Sequence, residues 1–150
     1  MFKRIFRAVS HANLFVDAQG FLFRGEGERA MNVLNRYYGE FSADMPSRSV
    51  PPEVNLLTSM AAIQTNNGPL ALACAQVALA QLEVDKKFYK KADQKYLINF
   101  SKAVINYCNL WRYGDSFNKI SLDLNAITEK SVSSHLRGKF PMLSDGSFKS

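Results

Sequence analysis

The chain has 150 residues, is 47% hydrophobic and 21% charged, and carries a formal net charge of +6 with a pI near 9.4. That length fits one domain with a sizeable core, and the composition excludes a disordered or membrane-embedded chain. The longest apolar run, Pro69 to Ala80, is broken by Gln76 and falls short of the ~20 residues a spanning helix needs.

Residues 2 to 17 form the cleanest amphipathic pattern. Phe2, Ile5, Phe6, Val9, Ala12 and Val16 share one face, while Lys3, Arg4, Arg7, Ser10 and His11 gather on the other. The expected role is a first helix covering a bundle core. The alternative is a partner or membrane face formed by Phe2, Ile5, Phe6 and Val9, because a basic amphipathic helix with aromatics suits an anionic bilayer. Lys3, Arg4 and Arg7 interrupt any continuous apolar segment, so secretion is not expected. Cys74 and Cys108 are then read as buried thiols in a reducing cytoplasm, with a single stapling disulfide as the alternative should their helices face each other. Gln19 to Gly27 is expected as a loop carrying Gly20, Gly25 and Gly27. Its RGEGER segment fits neither dinucleotide nor P-loop spacing, and Glu26 and Glu28 would repel phosphate.

Glu28 to Tyr38 reads as a helix with acidic residues in its first turn, Met31, Leu34 and Tyr38 on its apolar side and Gly39 as its stop. Ser42 to Pro52 is rich in breakers and reads as an exposed loop. Pro51 and Pro52 open a helix to Gln64 that turns Leu56, Leu57, Met60, Ala61 and Ile63 toward the core. The short link after it favours an antiparallel neighbour.

Asn66 to Phe88 is expected to be the helix around which the rest packs. Pro69 suits its first turn; Leu70, Cys74, Val77 and Val84 lie on one side and Leu72, Leu79 and Leu82 on the other, with Gln76, Glu83 and Lys87 as a narrow polar strip. The segment after it places Lys86, Lys87, Lys90, Lys91 and Lys95 around Phe88 and Tyr89. Lysines neutralise phosphates and aromatic rings stack bases, which makes these lysines candidate anion or nucleic-acid contacts. The plainer reading is a solvated helix end, with cations facing the negative pole of the preceding helix. Asp93 is expected to cap a helix to Tyr113 built on Leu97, Phe100, Val104, Tyr107 and Trp111, and Gly114 to end it. A last helix starts at Asp115 or Ser116, places Phe117, Ile120, Leu124 and Ile127 on one side, and closes at His135, Arg137 and Gly138.

The expected architecture is all-α: a compact bundle of five to six helices over residues 1 to 138, with Pro69–Val84 and Asp93–Tyr113 as the inner pair and residues 139 to 150 as a tail. Gly25, Gly68 and Gly114 recur between helices at similar but unequal intervals, which admits a short solenoid-like array of helical hairpins. Lys119 breaks the pattern in the third unit. His11 and His135 lie near opposite ends, no cysteines or carboxylates sit at ligand spacing, and no nucleophile signature surrounds Cys74, Cys108 or any serine. No catalytic residue, cofactor or metal is therefore expected. The expected function is that of a non-catalytic cytoplasmic adaptor or scaffold, with a protein or a second copy as partner. Nucleic acid at Lys86 to Lys95 and a membrane surface at the N-terminal helix are the alternatives.

Overall fold

The computed structural model describes residues 2 to 84 and 89 to 112, with side chains described over 13 to 84 and 89 to 109. The last expected helix and the tail lie outside these residues, as do Lys86 and Lys87. The described residues form α1 (Phe2–Phe23), α2 (Gly27–Glu40), α3 (Pro52–Gln64), α4 (Gly68–Val84) and α5 (Lys91–Arg112), and contain no strand. The fold is the expected all-α bundle.

Helix α1 continues through Gly20 to Phe23, so the expected loop over 19 to 27 shrinks to a turn at Arg24, Gly25 and Glu26. Burial of Ala18 and Leu22 outweighs the helix cost of one glycine, about 1 kcal/mol. Gly25 carries the turn at a φ of 73°. At the start of α2, Gly27 lies against α3: a Cβ there would come within 2.5 Å of the Gln64 Cβ, a position only glycine fills. Helix α2 runs past Gly39 to Glu40, and Ser42, not glycine, takes the positive φ of 51° beyond it.

Among the described residues helix α3 is the most thoroughly buried, more so than either member of the expected inner pair. Every residue from Val54 to Ile63 is buried, including Asn55, Thr58 and Ser59. It packs on α4 and α2 and also meets α1 and α5. Polar residues can stay in this core because each is bonded: the Ser59 hydroxyl donates to the Ala71 carbonyl at 2.6 Å and the Thr58 hydroxyl to the Val54 carbonyl at 2.8 Å.

Helix α4 does lie between neighbours, α3 and α5, but through a different face from the one its leucines suggest. The buried positions are Ala71, Cys74, Ala75, Ala78 and Leu82. Leu70, Leu72, Val77 and Leu79 are half-buried, and Val84 is 82% exposed. Small residues on the inner seam let the helices approach closely, and the longer side chains flank that seam. Ser59 meets Ala71 while Asn55 meets Gln81, so α3 and α4 run antiparallel, as the short link between them requires. Asn67 caps α4, its side-chain oxygen accepting from the Leu70 amide at 3.2 Å. Helix α5 starts at Lys91, which puts Asp93 in its first turn instead of at the cap, and Gln94 donates to the Leu82 carbonyl. Tyr96, Leu97, Phe100, Val104 and Cys108 form its buried side.

Helix α1 meets the bundle through Leu14, Ala18 and Leu22. Val16, the described end of the stripe expected to cover the core, is instead 61% exposed. No helix among the described residues is long and apolar enough to cross a membrane.

Candidate binding groove

One end of the bundle gathers the end of α2, the loop between α2 and α3, the start of α3, the end of α4 and the start of α5. A groove of ≈ 690 Å³ opens there. Its apolar walls are Phe41, Val50, Pro51, Pro52, Ala80 and Val84, and Arg48, Glu53, Gln81 and Tyr89 supply its polar edges. Phe41 is 36% exposed and stacks on Tyr37 with ring centroids 5.5 Å apart. Phe41, Val84 and Val16 are the exposed large hydrophobic residues among those described, and two of the three line this groove.

A polar network holds the loop that forms one wall. Asn55 is buried and uses its whole amide: Nδ2 donates to the Ser47 carbonyl at 2.8 Å and to Gln81 Oε1 at 2.7 Å, while Oδ1 accepts from the Tyr38 hydroxyl at 2.5 Å and the Ser47 amide at 3.3 Å. Gln81 in turn donates through Nε2 to the Val50 carbonyl at 2.7 Å and the Arg48 carbonyl at 3.3 Å. Two amides thus fasten an otherwise irregular loop, which includes a cis Met45–Pro46 bond, to α3 and α4. Burial pushes the Tyr38 hydroxyl well above the usual tyrosine range, so it remains a donor at physiological pH. At the groove edge the Tyr89 hydroxyl donates to both Glu53 carboxylate oxygens, at 2.7 Å to Oε2, and joins the start of α3 to the segment before α5. Burial and then the Glu53 charge raise the Tyr37 pKa.

Lys90, Lys91 and Lys95 are exposed at this end of the molecule, next to Tyr89 and along the first turns of α5. Lys86 and Lys87 lie outside the described residues. Phe2, Ile5, Phe6 and Val9 occupy helical backbone in α1, and their side chains lie outside those described. Gln76, Asn106 and Asn109 face solvent, whereas Gln81 holds the α2–α3 loop.

A second cavity of ≈ 570 Å³ lies between the first half of α4 and Cys108, lined in part by Leu72, Ala73 and Gln76. Cys74 and Cys108 are both buried free thiols. Burial pushes the Cys74 thiol up to about 12, with Cys108 adding to the rise, and the Cys108 thiol up to about 11. Thiols held protonated make poor nucleophiles and poor metal ligands. No group of three or more metal-ligating side chains occurs among the described residues. Sequence reasoning missed Asn55 and Glu53 as parts of the groove. The one available signal was polar residues in a helix opened by Pro51 and Pro52, and that pattern does not reveal their partners.

No protein-family model, curated protein or solved structure matches this chain.

Proposed function

We propose that the protein is a non-catalytic interaction module that receives a segment of a protein partner in the groove between the α2–α3 loop and the end of α4. The observation that supports this reading most directly is Val84: a large apolar residue left 82% exposed beside Phe41, Pro51 and Pro52 on a wall braced by Asn55 and Gln81. A braced groove loses little conformational entropy when it is filled, so apolar contacts there translate into affinity. Aromatic and proline surfaces supply shape, and the neighbouring lysines steer association with a partner of negative potential.

A photo-activated cross-linking residue tests this when placed at Val84 and, as a control, at exposed Asn106 on α5. Cross-links to one protein species concentrated at position 84 and lost in a Phe41→Ser variant are the expected result. Equal labelling from both positions, or none at Val84, refutes the reading.

A further inference from the structure

The groove between the α2–α3 loop and the end of α4 carries both a recess and a projection. Phe41, Val50, Pro51 and Pro52 line the recess, and Val84 stands on the opposite wall, 82% exposed. A two-fold contact needs this combination on one surface, because each copy must present to the other what it receives from it. When Val84 of one copy enters the recess of a second, the same rotation places the second copy's Val84 in the recess of the first.

The charges follow the same rule. On the loop wall Glu40 precedes Phe41 and Arg48 lines the groove; on the other wall Glu83 precedes Val84 and Lys90 follows Tyr89. All four are exposed, and none of them takes part in an ion pair among the described residues. Each wall thus holds one charge of each sign, so two facing copies pair Arg48 with Glu83 and Lys90 with Glu40. With Glu53 and Lys91 added, carboxylates match cations one for one around the groove. A polyanion, whether nucleic acid or an anionic bilayer, would meet as much repulsion as attraction there, whereas a second copy answers each sign with its opposite.

We infer that the groove is the interface of a two-fold dimer of this chain, with Val84 of each copy seated against Phe41, Pro51 and Pro52 of the other and Arg48–Glu83 pairs at the rim. The inference rests on the reading of the groove as an interaction site and names its partner. The bonds from Gln81 to the Val50 and Arg48 carbonyls fix recess and projection relative to each other, so both copies meet with their surfaces already formed. One exposed valine and one part-exposed phenylalanine from each copy make a small apolar centre, which suits a reversible dimer and not an obligate one.

Sedimentation velocity of the purified full chain, from micromolar to near-millimolar concentration, tests the inference. A reversible equilibrium between monomer and dimer is expected. Val84→Asp should weaken it roughly a hundredfold, since the two-fold axis counts each loss twice, while the circular dichroism spectrum stays that of the native protein. Arg48→Glu should weaken it roughly tenfold, and adding Glu83→Arg should restore it, a rescue that a defect in folding does not allow. Three results overturn the inference: a chain that is monomeric at every concentration, a dimer that Val84→Asp leaves intact, or a double charge reversal that binds no tighter than Arg48→Glu alone. The cross-link from position 84 separates this inference from the reading it rests on. A product with the mass of two chains supports both, a product with a different protein overturns the second copy alone, and no product overturns both.

Discussion

Replacing Asn55 with alanine removes four hydrogen bonds from a site with no solvent exposure. At a net ~1 kcal/mol each, the bonds together contribute about 4 kcal/mol. The losses are not equal. Ser47 and Gln81 are only partly buried and can turn to water, and the Tyr38 hydroxyl keeps Thr58 Oγ1 at 3.1 Å. The expected loss is therefore about 2 to 4 kcal/mol, a large share of the ~5 to 15 kcal/mol that holds a domain together. Urea unfolding followed by circular dichroism measures it, with the slope against urea unchanged if only the native state is affected. Gln81→Ala is expected to cost less, about 1 to 2 kcal/mol, because its bonds lie nearer the surface, and the double variant should lose less than the two changes added together. A loss under about 1 kcal/mol for Asn55→Ala refutes the view that this amide braces the groove.

Other perturbations test the packing and the thiols. Gly27→Ala forces a Cβ to within 2.5 Å of the Gln64 Cβ and should cost about 1 to 3 kcal/mol in the same unfolding assay, where an open helical site would gain from the change. Ala78→Leu on the inner seam of α4 should cost about as much through overpacking, whereas Val84→Asp at its exposed end should leave the melting temperature within a few degrees. With its pKa near 12, the Cys74 thiol should react with iodoacetamide at pH 8 roughly a thousandfold more slowly in the native than in the urea-unfolded protein. The same shift makes stability pH-dependent: both thiols hold their protons higher in the folded state, so stability is full below pH 9 and falls as pH rises toward 11 to 12. A flat unfolding free energy across that range refutes the burial assigned to the two cysteines.

Much of the architecture was legible in local chemistry. Pro51 and Pro52 marked the start of α3, Asn66 to Pro69 marked the break before α4, and the apolar spacing from Leu97 to Val104 marked the inner side of α5. These signals survive because they depend on φ restriction, missing amide donors and helical period, which act within a few residues. Gly20 and Gly39 misled for the same reason: a glycine can end a helix, but neighbours buried against another helix keep it going.

What the sequence determined by itself was helix content, breakpoints and the placement of charge. Tertiary structure decided which helix is most thoroughly buried and which apolar stripe is used. Helix α3 carries Asn55, Thr58 and Ser59 among its apolar residues and looked like an ordinary amphipathic element, yet it is buried from Val54 to Ile63 because Tyr38, Ser47, Ala71 and Gln81, distant in sequence, share hydrogen bonds with these side chains and Thr58 also donates to the Val54 carbonyl of its own helix. Helix α4 looked like the organiser because of its leucines, but helices approach most closely over small side chains, so its alanines face inward.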